Sequence, residues 1–185
     1  MKATGVVRRI DDLGRIVIPI EIRRSMRIRD GDPLEIFVDQ EGEVILKKYS
    51  AIADLGRLAQ EVAESLHEGS GYPCLIADRD QVVSVSGLPP REVLGRSVGS
   101  VVLRAMNERS TLTFRGDAHH EGPLLGEEED GKCPFRSEVI APIIVAGDPA
   151  GAVILGTTDD GEVLGDLEIK MAETAAGFLA RHMET

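Results

Sequence analysis

Aromatic side chains make up only 3% of the chain and tryptophan is absent, so any core must be aliphatic. Cysteine is scarcer still, two in 185 residues, which excludes a disulfide scaffold. Of the two, Cys74 sits in an apolar stretch and reads as a small buried hydrophobe, while Cys133 sits in a polar loop. No apolar run approaches the roughly 20 residues that span a bilayer, so no membrane partner is expected. The opening MKATGVVRRIDD lacks the apolar centre of a secretory signal, and a cytoplasmic protein with reduced thiols is expected. Positive charge is also missing from most of the chain. Residues 51–185 hold 11 Lys/Arg against 23 Asp/Glu, a net of −12.

The first 50 residues differ, with 10 basic against 9 acidic groups, and the first 29 hold 8 against 3. Such asymmetry suits a polyanion partner for one end only. In RRIDDLGRIVIPIEIRR, five arginines flank a short apolar strand. Strands are expected over 3–10 and 15–18, followed by a short helix started by Pro19. Strands over PLEIFV and VILKK complete a ββαββ unit. About 50 residues bury too little surface to be stable alone, and four short strands leave open edges, so a dimer is expected. On the helix, Arg23, Arg24 and Arg27 would share one face. Charge and spacing leave two readings open, namely DNA contact or neutralisation by Asp11, Asp12 and Glu21.

Beyond Ser50, Ile52, Leu55, Leu58, Val62 and Leu66 recur at steps of three and four, predicting an amphipathic helix. As a linker at 1.5 Å per residue it would span about 25 Å. PCLIAD and QVVSVS predict one hairpin. SEVIAPIIVAG and DPAGAVILGTT predict another, turning at Gly-Asp-Pro. A helix capped by Ser97, a strand at STLTF and a last helix over 162–182 complete the pattern. The polar loop between Arg115 and Phe135 is longer than usual. Its Asp117, His119, His120 and Cys133 match no standard zinc spacing, so neither metal nor cofactor is expected. Cys133 has only Lys132 as a basic neighbour and several glutamates nearby, a poor setting for a reactive thiolate.

The stretch GVVRRIDDLGRIVIPIEIRRSMRIRDGDPLEIFVDQEGEVILKKY resembles the DNA-binding domain of AbrB-type transition-state regulators along nearly its whole length. The resemblance implies a swapped-hairpin barrel made by two chains. It also implies contact with double-stranded DNA through Arg8, Arg15, Arg23 and Arg24, with Lys2 and Arg9 as weaker candidates. The later hairpins and the last helix resemble a GAF domain, a small-molecule sensor fold. Residues 110–135 depart from that pattern and lack the Asn-Lys…Phe…Asp-Glu signature of cyclic-nucleotide binders, so the ligand-binding residues are unknown.

The expected fold is α+β, in three parts. Residues 1–50 form an AbrB-like swapped-hairpin domain, 51–70 a linker helix, and 71–185 a GAF-like antiparallel sheet flanked by helices that senses an effector, oligomerises, or both. The expected protein is a transcriptional regulator, not an enzyme, dimeric through the barrel and tetrameric through the second domain. Two alternatives stand beside it: a GAF-fold thiol enzyme of the methionine sulfoxide reductase kind, and an antitoxin-type DNA-binding protein.

Overall fold

The computed structural model describes residues 5–115, 122–126 and 135–184. The chain forms two compact units, Met1–Tyr49 and Ser50–Thr185.

In the first unit, Pro19 (φ −56°, ψ 147°) precedes helix α1, Ile20–Ser25. The helix stops early. Met26 caps it, and Arg27 takes a left-handed φ of 52°, so Arg27 leaves the face it was expected to share with Arg23 and Arg24. Strands β1 (Leu34–Val38) and β2 (Val44–Lys48) pair as an antiparallel hairpin, Leu34 opposite Lys48 and Val38 opposite Val44. Asp39 closes the turn by accepting the Glu41 and Glu43 backbone N–H groups at 3.0 and 2.8 Å. Asp32 ties the preceding loop to β2: it accepts the Arg29 N–H at 2.8 Å and pairs with Lys48 at 3.4 Å.

Residues 5–19 form no ladder, contrary to the two strands expected there. Their β-branched segments find no strand partner among the described residues, and Val7, Leu13 and Val17 lie at least 70% exposed.

The second unit is a five-stranded antiparallel sheet in the order β4-β3-β7-β6-β5. Its strands are β3 (Cys74–Asp78), β4 (Val82–Ser86), β5 (Leu112–Arg115), β6 (Ser137–Val145) and β7 (Asp148–Thr157). Helices cover both faces, which is why β6 and β7 read as apolar runs without alternation. Cys74, Ile76, Val139, Val153 and Leu155 face α3 (Gly56–Ser70) and α6 (Asp166–Met183). Leu75, Ala77, Ile140, Ala152 and Ile154 face α5 (Ser100–Glu108) on the other side.

The segment read as one connecting helix is two, α2 (Ala51–Asp54) and α3, broken at Leu55. Both belong to the second unit, and Ala59, Ala63 and Leu66 of α3 are buried in its core. A short helix α4, Pro90–Val93, carries too little periodicity to be read from sequence. No helix among the described residues is long and apolar enough to cross a membrane.

Candidate nucleic-acid interface

The arginines of the first unit fall into two classes. Arg8, Arg9 and Arg24 are exposed and, among the described residues, carry no ion pair. Arg15 and Arg23 are each held by an acid. Lys2 lies outside the described residues.

Arg15 belongs to a tight turn built on Asp11. The Asp11 N–H donates to the Arg15 carbonyl at 3.0 Å, and the Gly14 N–H donates back to the Asp11 carbonyl at 3.1 Å. The Asp11 carboxylate accepts the Leu13 and Arg15 backbone N–H groups at 3.0 and 2.8 Å on Oδ1. Its Oδ2 accepts Arg15 Nε at 2.8 Å. These donors, the Arg15 backbone N–H foremost, hold the Asp11 carboxyl below its ordinary pKa. Asp11 is therefore charged at neutral pH.

Arg23 Nη1 bonds Asp30 Oδ1 at 2.6 Å, across the loop that follows α1. Its Nε is buried without a hydrogen-bond partner among the described residues. Of the acids expected to neutralise arginines, Asp11 does so. Asp12 and Glu21 make no ion pair among the described residues. Asp30 was missed, because seven residues across an irregular loop carry no periodic signal. The pairing of Asp11 with Arg15 had a cue in DDLGR, where an acid opens a Gly-containing turn.

In the second unit no group of three or more His, Cys, Asp or Glu among the described residues could hold a metal ion. Asp117, His119, His120, Lys132 and Cys133 lie outside the described residues. Burial pushes the Cys74 thiol up to about 12, so Cys74 is a packing residue and not a nucleophile.

Described side chains cover the face of the sheet under α5. Leu124, Leu125 and Phe135 are each 1% exposed there, and the Phe135 ring lies directly on Gly156. On the opposite side, α3 and α6 leave an open apolar groove of about 590 Å³, bordered by Leu58, Val62, Met171, Ala175 and Phe178.

Residues 54–184 match the family described as stage V sporulation protein T C-terminal, transcription factor. Over 184 residues the chain is 50% identical to stage V sporulation protein T of Bacillus subtilis (strain 168), covering 100% of this chain and 99% of that one. The chain belongs to the stage V sporulation protein T family. It is thus a homologue of a sporulation transcription factor. The transition state regulatory protein AbrB of the same organism is 61% identical over 49 residues, 26% of this chain and 50% of that one. Residues 7–54 also match the family described as antidote-toxin recognition MazE, bacterial antitoxin. That match ends where the transcription-factor match begins, which favours the regulator over an antitoxin.

The GAF domain of an Acinetobacter phosphoenolpyruvate-protein phosphotransferase superposes with a TM-score of 0.57 at 15% identity, over 74% of this chain and 84% of that one. A type II free methionine-R-sulfoxide reductase from Thermoplasma acidophilum gives 0.55 at 14% identity, over 71% and 94%. At such identities these likenesses establish a shared fold alone. The chain is accordingly α+β, with an AbrB-like N-terminal region and a GAF-like second unit.

Proposed function

We propose that the first unit binds double-stranded DNA as a dimer, with Arg8, Arg15, Arg23 and Arg24 at the contact and Lys2 and Arg9 beside them. The observation that carries this reading is the concentration of arginines in one short segment, three of them without a carboxylate partner among the described residues. Unpaired guanidinium groups at the surface of an acidic protein are suited to phosphate oxygens. The 61% identity to a transition state regulatory protein over 49 residues supports the same reading.

The dimer would be the swapped-hairpin barrel, in which residues 5–19 of one chain gain ladder partners from the other. The second unit would pair through the groove between α3 and α6, giving a tetramer. An effector would act by altering that pairing; among the described residues, Leu124, Leu125 and Phe135 cover the opposite face of the sheet. The setting is a cytoplasmic regulator of sporulation genes.

The test is DNA affinity against salt. Each phosphate contact contributes about 0.9 to the slope of log affinity against log salt. Replacing both Arg8 and Arg24 by Ala should flatten the slope by about 2 in each DNA-bound chain while leaving the thermal transition in place. An unchanged slope would remove these residues from the interface.

A further inference from the structure

The two acid-held arginines differ in what they leave free. Asp11 engages Arg15 through Nε, and among the described residues nothing is bonded to its two terminal nitrogens. That leaves the end-on fork, Nη1 and Nη2, presented as a pair of parallel donors. Arg23 has lost its fork: Asp30 occupies Nη1, and Nε is buried.

A carboxylate 2.8 Å from the Arg15 guanidinium nearly cancels its charge as seen from a distance. This is a poor arrangement for a phosphate anchor, whose value is its net positive charge. It is a good arrangement for reading a neutral surface that offers two hydrogen-bond acceptors at fixed spacing. There, orientation decides the energy and charge does not. Asp11 also fixes the backbone of Arg15, because the same carboxylate accepts the Leu13 and Arg15 N–H groups.

We propose that Asp11 is a positioning residue for sequence reading, holding Arg15 so that its terminal fork takes the O6 and N7 acceptors of a guanine in the major groove. The proposal rests on the DNA-binding reading above and divides its arginines by task. Arg8, Arg9 and Arg24 attract the phosphates, and Arg15, held by Asp11, discriminates between bases.

Asp11→Asn isolates the contact. The amide oxygen still accepts the two backbone N–H groups, but its NH₂ cannot accept Arg15 Nε. The preferred site is first selected from random duplexes with the full-length wild-type chain. Affinities are then measured on that site, on the site carrying 7-deazaguanine at each guanine in turn, and on the site with methylphosphonates replacing single phosphates. With wild-type protein, one 7-deazaguanine should weaken binding roughly tenfold or more, since it deletes the N7 acceptor. Asp11→Asn should be nearly indifferent to that same substitution. It should bind unrelated duplex as well as wild type or better, having lost one negative charge.

Arg15→Met, which keeps the backbone turn and the length of the side chain but has no donors, should be equally indifferent to that 7-deazaguanine. If Asp11→Asn lowers the thermal transition, Asp11→Ser takes its place, since its hydroxyl can still accept the turn N–H groups but offers no carboxylate to Arg15. The proposal is overturned if an Asp11 variant with the wild-type thermal transition keeps the wild-type response to every 7-deazaguanine. It is equally overturned if no 7-deazaguanine matters while a single methylphosphonate loses its effect in Arg15→Ala, which would make Arg15 a phosphate anchor. Failure of the wild-type chain to bind any duplex would instead overturn the DNA-binding reading itself.

Discussion

At the scale of single residues, two buried or tethered rings decide much of the second unit. Phe135 is 1% exposed and packs on Gly156, where any Cβ would run into the ring. Phe135→Ala should cost about 3–5 kcal/mol by leaving a cavity. Gly156→Ala should cost about 1–3 kcal/mol by overpacking the same spot. Urea unfolding of both variants checks the pair, and an unchanged midpoint in either would mean that the sheet face is not closed as described. Tyr72 is tied differently. Its hydroxyl donates to Glu162 Oε1 at 3.1 Å, and that carboxylate raises the phenol above its ordinary pKa of 10. The folded chain therefore holds the proton more tightly than the unfolded one. The stabilisation is complete below pH 10 and is lost as pH rises through the raised value. Tyr72→Phe should flatten the stability curve only on this alkaline side, as measured by thermal unfolding across pH.

At the scale of elements, the hairpin of β6 and β7 offers a clean test of turn chemistry. Its two turn residues are Ala146 at φ 50° and Gly147 at φ 89°, both left-handed as a type I′ turn demands. Alanine pays about 1 kcal/mol in that region, and asparagine tolerates it better. Ala146→Asn should therefore raise stability by a large part of about 1 kcal/mol, read as a shift in the urea midpoint. The sequence points to this hairpin but puts its turn at Gly-Asp-Pro, one residue late, because alanine gives no hint of a positive φ. Elsewhere, too, legibility follows periodicity. The amphipathic face of α3 and the apolar runs of β6 and β7 are plain in the residues. Helix starts are less so: α5 begins after Gly99, since Ser97 bridges to Gln81. Helix α6 begins at Asp166, since Glu162 is taken by Tyr72 and Thr157. The acid partner of Arg15 could be read from DDLGR, whereas Asp30 could not, because a loop brings it to Arg23.

At the scale of the whole molecule, the two units face different energetic problems. The second has a sheet with a buried apolar cluster on each face. Among its described residues the first has one hairpin, one short helix and a row of exposed apolar side chains, with Val7 at 90%, Val17 at 73% and Val38 at 72%. So much apolar surface on so small a unit calls for a partner, and each fully buried Val would contribute about 1.5–3 kcal/mol. If two copies of the first unit supply that cover for each other, association and folding of this unit are one equilibrium. Its unfolding temperature should then rise with protein concentration, while the transition of the second unit moves much less. Val17→Asp places a charge in the proposed dimer core. It should abolish the first transition and DNA binding together, with every arginine intact, and leave the second unit's transition in place. Calorimetry at two concentrations, with sedimentation on the same samples, tests this. A Val17→Asp chain that still binds DNA with wild-type affinity would mean that the arginines act from a monomer, and the barrel would have to be abandoned.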